Sequence, residues 1–341
     1  MSDGNGQGRI PLDMIEMHFP LLAEAPPSPR RRPFWPALVL FVLTVVSTLA
    51  VGSEFAISYA HNREPFSKDD NPFVTMLRPF EHPRLLLLGI PFSFTLLGIL
   101  LAHELGHYFT CKMYGIDVTY PCFIPAPTLF GTFGAFIRIR SPIPTRRALF
   151  DVGFSGPIAG FIFAVPAMAY AIAMSKIVPT AHSDAAILFG DPPLMRILIE
   201  FFHPGTNPVL LLLHPVGRAA WVGLFATALN LLPAWQLDGG HIVYSLASEH
   251  HRRISLAVSL GLVVLGIYTM WYGWIGWGLV LIVLSLRFRH PPLLDRWEPL
   301  DASRRTWAVV ALLIFLLCFT PWPATNPQAQ STTPAIHTQL R

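Results

Sequence analysis

Charged residues are scarce in this sequence. Only 13% of its 341 residues are Asp, Glu, Lys or Arg, whereas 52% are hydrophobic. So few charges cannot cover the surface of a water-soluble protein of this length. The composition therefore excludes an ordinary soluble enzyme and predicts a membrane protein. The net charge is only +4, and the basic residues lie between apolar runs, which argues against a nucleic-acid-binding surface.

Cysteine is equally scarce. The chain contains three cysteines, Cys111, Cys122 and Cys318. They are too few and too scattered for a disulfide framework or for a metal site built from cysteine. We interpret Cys111 as a small buried residue, although it lies on the same predicted helix face as two histidines described below.

The sequence contains several long runs of apolar residues. A transmembrane helix needs about 20 mostly apolar residues, and seven stretches are close to that length. The predicted fold is therefore an all-α polytopic membrane protein with about seven transmembrane helices. The predicted spans are residues 36–60, 85–111, 150–176, 218–246, 254–272, 274–288 and 306–322.

Basic residues predict how the chain crosses the membrane. Arg30, Arg31 and Arg32 precede the first span, and the segments 112–149 and 287–305 each contain several further basic residues. Because cytoplasmic loops carry an excess of Lys and Arg, this pattern places the N-terminus in the cytoplasm. We expect a multi-pass protein of a bacterial cytoplasmic membrane, with its site near the cytoplasmic side.

Five regions can be assigned from these runs. The leader 1–33 and the Pro/Thr/Gln-rich tail 323–341 show no apolar periodicity and are predicted to be disordered. Residues 34–84 comprise the first transmembrane helix and an outside loop, 85–246 a membrane core, and 247–322 the C-terminal transmembrane helices.

The second span contains the sequence His-Glu-Leu-Gly-His. His103 and His107 are four residues apart, so both imidazoles leave one face of a helix and can converge on one zinc ion. Glu104 lies beside a ligand, where it can act as general base toward water without coordinating the metal. Two histidines and a glutamate inside a membrane span are costly unless they are paired, liganded or facing water, so a purely structural role is disfavoured.

A catalytic zinc ion usually has three protein ligands, so a third is expected from another span at the same depth. Asp238 in the fourth span is flanked by Gly239 and Gly240, which permit close backbone approach. Pro233 breaks the same helix, and freed backbone groups are tolerated at membrane depth only where they line a cavity or contact protein. A helix cap is the competing interpretation of Asp238.

Two further polar residues lie near Asp238 in the sequence. Asn230 could position substrate or stabilise an oxyanion, and it could equally hold helices together as a buried amide. We interpret His241 as a residue that supports the ligands or packs in the core, not as a ligand.

Asp151, at the start of the third span, is expected to cap that helix.

The motif HELGH (103–107), followed by NLLP (230–233) and LDGG (237–240), resembles the site-2 protease family of intramembrane zinc metalloproteases. The resemblance implies that His103, His107 and Asp238 bind one zinc ion per chain. It also implies that Glu104 is the catalytic base and that Asn230 is the asparagine of the second motif. The stretch 131–144 with GPIAG (156–160) is similar to the branch that includes chloroplast-type and related bacterial homologues.

A short β segment is predicted between the second and third spans. In residues 128–140, Ala135, Ile137 and Ile139 alternate with more exposed types, while Gly131 and Gly134 allow close approach. We expect a re-entrant or membrane-surface strand, with Phe136 on its other face, whose edge pairs with an unwound substrate. A simple hairpin that links two spans is the alternative.

These observations predict an intramembrane zinc metalloprotease with a three-helix core. It would hydrolyse peptide bonds of membrane-anchored proteins in or near the bilayer, in regulated intramembrane proteolysis. Its predicted partners are such a substrate and the lipid bilayer, with no nucleic acid and an oligomeric state left open. The alternative function is a membrane protein that binds or transports metal, which should carry further ionisable residues along a route through several spans.

Overall fold

The structure, a computed structural model, describes residues 34–65, 72–179, 187–288, 290–291, 293–295 and 299–325. The chain divides into two compact units, 1–36 and 37–341, and the second contains the helical fold. The predicted disordered leader 1–33 lies outside the described residues, as does the part of the predicted tail from 326 onward.

The fold is mostly helical. Within the described ranges, the helices are α1 (Trp35–Ala60), α2 (Pro72–Glu81), α3 (Ile90–Met113), α4 (Arg146–Ala173), α5 (Pro193–Phe202), α6 (Pro215–Leu231), α7 (Asp238–Ala247), α8 (His251–Thr269), α9 (Tyr272–Arg287) and α10 (Ala302–Cys318). A 3₁₀ helix, Pro83–Gly89, leads directly into α3.

Four helical segments of the described chain are long and apolar enough to cross a bilayer: α1, Pro83–Met113, α4 and α8. The chain is therefore a polytopic membrane protein with four candidate membrane-spanning helices. Helices α6, α9 and α10 coincide with other predicted spans but have only 16 or 17 residues. The predicted count of seven stays a prediction.

The fourth predicted span, 218–246, is divided into two helices. Helix α6 ends at Leu231, just before Pro233, and α7 begins at Asp238. The two glycines after Asp238 let the first turn of α7 press against this break. A Cβ atom on Gly239 would lie 2.0 Å from the Leu231 carbonyl oxygen, and one on Gly240 would lie 2.4 Å from that of Trp235.

Helices α3, α4 and α6 pack against one another, and α7 packs on α4. Large apolar side chains such as Phe92, Phe150 and Leu224 are fully buried among them. The α3–α4 contact is close because it is lined by glycine: a Cβ atom on Gly106 would lie 2.4 Å from the Ser155 carbonyl oxygen. These helices form the frame on which the site is built.

A β-hairpin connects α3 to α4. Strand β1 (Cys122–Pro125) pairs antiparallel with β2 (Thr132–Phe136) in a two-stranded sheet, so within the described chain no strand pairs with the other edge of β2. The turn is packed against α1, because Ser47 Oγ donates a hydrogen bond of 2.6 Å to the Gly131 carbonyl oxygen.

Two shorter antiparallel pairs lie at the far ends of the helices. Strand β3 (Lys176–Ile177) pairs with β5 (Leu211–Leu212). Strand β4 (Leu188–Phe189) pairs with β6 (Ala324–Thr325), which lies at the start of the predicted tail.

The prediction that Asp151 caps the third span was wrong. Helix α4 begins earlier than predicted, and Thr145 is its N-cap, accepting a hydrogen bond from the Ala148 backbone N–H. Asp151 instead accepts hydrogen bonds from the Tyr114 hydroxyl at 2.5 Å and from the Arg304 guanidinium at 2.5 and 2.8 Å. Burial, followed by the contact with Asp151, raises the pKa of Tyr114. This cluster ties the start of α10 to the core.

Candidate metal centre

Three side chains from two distant parts of the chain converge between α3 and α7. His103 and His107 lie one turn apart on α3, and Asp238 is the first residue of α7. One ligand atom from each lies within 4.8 Å of the other two, and this is the only such group in the part of the chain that the structure describes. The two histidines are buried and Asp238 is nearly so.

The distances between these atoms match a metal coordination shell. The two histidine Nε2 atoms are 3.1 Å apart. Asp238 Oδ2 lies 3.2 Å from Nε2 of His103, and Oδ1 lies 3.4 Å from Nε2 of His107. Ligands about 2.0 Å from a tetrahedral zinc ion are separated by about 3.3 Å. The three donors therefore already have the spacing that one zinc ion requires.

The hydrogen bonds around the histidines leave lone pairs facing inward. His107 Nδ1 lies 2.7 Å from the Val152 carbonyl oxygen, which can only accept, so Nδ1 carries the proton and neutral His107 presents a bare Nε2. The Asn230 amide nitrogen lies 3.2 Å from His103 Nε2 and donates to it. The Nε2 atoms of the two histidines and the Asp238 carboxylate oxygens together form a set of donors that a cation would complete.

Glu104 is buried beside the ligands without being one of the three converging groups. Its carboxylate interacts electrostatically with both histidines, with Asp238 and with the backbone N–H of Ile137. Ile137 directly follows β2, so the end of the hairpin lies next to the predicted base.

Glycines of α4 make room for each ligand. A Cβ atom on Gly156 would lie 2.1 Å from His107 Nε2, and one on Gly160 would lie 3.3 Å from His103 Nδ1. A Cβ atom on Gly153 would lie 2.8 Å from the His241 Cβ and 3.0 Å from the Asp238 carbonyl oxygen. The sequence suggests only close helix packing for such residues, since spacing along α4 does not reveal what each glycine faces.

His241 faces a second histidine. Its Nδ1 lies 2.9 Å from His290 Nε2, and the His290 ring stacks on Tyr244 with centroids 3.9 Å apart. Burial lowers the pKa of His290 to about 4, so this imidazole is neutral at pH 7. The contact with His290, which lies between α9 and α10, could not be read from the sequence around Asp238.

The four residues predicted to bind substrate lie in or next to β2. Gly131 is in the turn with φ +78°, and its Cβ position is occupied by α1, 2.7 Å from the Ser47 carbonyl oxygen. Gly134, with φ +106°, has open space where a side chain would be. Ala135 packs on the core and Phe136 is exposed, as the predicted alternation requires.

A helical membrane core with a His-His-Asp centre and an adjacent glutamate defines the class of membrane-embedded metallopeptidases. A family model agrees: that of peptidase family M50 matches residues 91–272. The chain belongs to this family, which confirms the predicted resemblance to the site-2 proteases.

Similar proteins occur in plants. The chain is 29% identical to "Probable zinc metalloprotease EGY1, chloroplastic" of Arabidopsis thaliana, over 94% of this chain and 60% of that protein. It is 26% identical to the protein of the same name from Oryza sativa subsp. japonica, over 94% of this chain and 56% of that protein. It is 28% identical to EGY2 of Arabidopsis thaliana, over 73% of this chain and 44% of that protein. The chain thus spans about half the length of these curated relatives, from 44% to 60%.

Proposed function

We propose that this protein is an intramembrane zinc metalloprotease that cleaves membrane-anchored proteins in or next to the bilayer. The observation that carries the proposal is the convergence of His103, His107 and Asp238 at distances suited to one zinc ion. Membership in family M50 and the names of the plant relatives support the same function.

His103, His107 and Asp238 would hold one zinc ion per chain. When bound, zinc would supply a Lewis acid that makes water a nucleophile at neutral pH. The Val152 carbonyl would keep His107 in the tautomer that presents Nε2 inward. Gly156 would keep the space at this nitrogen open.

Glu104 would accept the proton of the attacking water and return it to the leaving amine, because its carboxylate lies beside the ligands without being one of them. Asn230, whose amide reaches His103, would position the substrate carbonyl or stabilise its developing negative charge. A role for Asn230 in holding α6 to α3 is the alternative, and the same contact supports it.

A helix with every carbonyl hydrogen-bonded is a poor substrate, so the target segment must first become extended. The unpaired edge of β2 would bind that segment by strand addition, with Gly134 allowing close approach and Phe136 contacting its side chains. Gly131 would contribute indirectly, because it fits the turn against α1. Whether the hairpin enters the membrane stays a prediction.

The membrane and its orientation are part of the proposal. Excess Arg in the leader and in 112–149 supports a cytoplasmic N-terminus with the site near that side of a bacterial cytoplasmic membrane. The relatives are named as chloroplastic, which makes a chloroplast membrane the competing location. Reporter fusions to residues 1–33 and to the loop 177–217 would test the orientation.

The alternative, a metal transporter, is not favoured. A transport route needs ligands at several depths. In the described parts of the chain, metal-ligating side chains converge at a single point.

Glu104→Gln tests the proposed chemistry. We expect cleavage of a single-span reporter in membranes to fall by about 10²- to 10⁴-fold, because the variant loses its general base. Zinc content should stay at the wild-type level, because Glu104 is not a ligand. Equal cleavage by both proteins would refute the proposed role of Glu104, and zinc uptake into vesicles that survives the substitution would favour transport.

A further inference from the structure

A large cavity lies at the opposite end of α6 from the metal centre. Its volume is about 890 Å³, within the range of ligand-binding sites. Arg218 in its wall and Asn230 at the metal centre are 12 residues apart on α6, which corresponds to about 18 Å. The walls come from the end of α1, the hairpin turn, β4, α5, α6 and the segment after α10.

Three aromatic residues form one wall of this cavity. The Phe189 ring lies 4.9 Å from the Trp221 ring and 5.8 Å from the Phe130 ring, measured between centroids. Trp221 Nε1 donates a hydrogen bond of 2.6 Å to the Gly190 carbonyl oxygen, which holds the wall in place. A preformed aromatic surface of this kind suits a large apolar or aromatic side chain.

Charge argues against a phosphate headgroup as the occupant. Of the lining residues, Glu64, Asp191 and Glu200 carry negative charge against Arg196 and Arg218. Arg218 is already paired with Glu64 in a buried ion pair. A site for an anionic lipid would show an excess of available cations instead.

One wall residue of the cavity, Phe130, belongs to the hairpin whose second strand ends at the metal centre. Phe130 lines the cavity and belongs to the turn that precedes β2, while Ile137, at the other end of β2, interacts with Glu104. The two residues are seven positions apart, which corresponds to about 23 Å in an extended chain. A peptide paired along β2 with its scissile bond near Glu104 would therefore reach the cavity about seven residues away.

We propose that this cavity is a specificity site for the substrate, binding a large apolar or aromatic side chain about seven residues from the scissile bond. The inference rests on the proposed protease function. It adds a recognition site remote from the ligands, formed by elements that come together only in the folded chain.

Photo-cross-linking in the full-length protein tests the contact. A photoreactive phenylalanine would replace Phe189 in the cavity, Phe133 on β2, or Phe201, an exposed residue of α5 outside the cavity lining. The protein would also carry Glu104→Gln, and the probe would be a single-span reporter that the wild type cleaves. We expect adducts with the reporter from positions 189 and 133 and none from position 201.

The outcomes separate the inference from the proposed function. An adduct from position 133 without one from 189 would overturn the specificity site and leave the protease function intact. A reporter that wild type and Glu104→Gln cleave equally would overturn both.

Cleavage rates provide a second test. Phe189→Ala should raise KM about 10-fold for a reporter with Phe at the recognised position, and leave KM unchanged for one with Ala there. Phe189→Leu should return the KM for the Phe reporter most of the way to the wild-type value. Phe201→Ala should leave KM unchanged for both reporters. The zinc content of all variants should equal that of the wild type. Equal effects of Phe189→Ala on both reporters would contradict selection by the cavity.

Discussion

Two buried polar groups lie near opposite ends of α6 and differ in how their charge is balanced. In the wall of the aromatic cavity, Glu64 and Arg218 are both buried and form an ion pair. At the metal centre, Asp238 faces two imidazoles, and the hydrogen bond between His107 Nδ1 and the Val152 carbonyl oxygen leaves Nε2 as the nitrogen that faces Asp238. In the Glu64–Arg218 pair, the two charges balance each other. The metal centre instead combines the negative charge of Asp238 with the nitrogen donors of two imidazoles.

The difference between these groups is that between a structural polar cluster and a binding centre. A buried carboxylate paired with arginine needs no further ligand, and removing either partner leaves an uncompensated charge. Donor atoms with one net negative charge and no cationic side chain among them are suited to a metal ion. Burial is similar in the two places, so charge balance and donor geometry make the distinction.

Removing a ligand from the metal centre should have the largest effect. Asp238→Ala should abolish cleavage and reduce bound zinc from about one ion per chain to a small fraction, because catalytic zinc needs three protein ligands. Elemental analysis of the purified protein measures this. Asp117→Ala is the matched control, since Asp117 is a half-exposed acid that lies 3.9 Å from Arg140 and away from the metal centre's ligands. Full zinc occupancy in Asp238→Ala would contradict the assignment.

Breaking the ion pair should affect stability and not metal binding. Arg218→Met removes the buried cation that pairs with Glu64 and should lower the free energy of unfolding by about 3–5 kcal/mol. The double variant Glu64→Gln/Arg218→Met should recover most of this loss, because no charge is left unpaired. Denaturant unfolding in detergent measures stability, and zinc content should equal wild type throughout. Loss of zinc from folded Arg218→Met would contradict the conclusion that the ion pair and the metal centre are independent of each other.

Adding a methyl group beside a metal ligand should have the smallest effect of the three changes, a moderate loss of zinc affinity. In Gly156→Ala, the new methyl group would lie 2.1 Å from His107 Nε2, so the imidazole must shift. We expect zinc affinity, measured by competition with a chelator, to fall about 10- to 100-fold, as for other disturbances of residues that orient ligands. Gly98→Ala on α3 is the control, since its Cβ position has open space. Unchanged affinity in Gly156→Ala would show that the centre tolerates the shift.

Much of the site could be predicted because its chemistry is local in the sequence. The spacing of His103 and His107 places them on one helix face, and an acid followed by two glycines inside an apolar run is an uncommon sign. The break of the fourth span was also predictable, since Pro233 cannot continue a helix. The start of α4 was less predictable, because Thr145 caps the helix within a basic segment that hydropathy alone excludes from the span.

By itself, the sequence determined that this is a membrane protein with an apolar helical core and which residue types could bind a metal, because composition and helical periodicity are properties of the chain. The tertiary structure alone determined which residues and helices are in contact. It brought α7 to α3 across more than 120 residues, set Gly156 against His107, and placed Phe130 of the hairpin turn in the wall of the aromatic cavity. Such contacts depend on the positions and angles at which helices pack, and the spacing of residues along the chain does not determine that packing geometry.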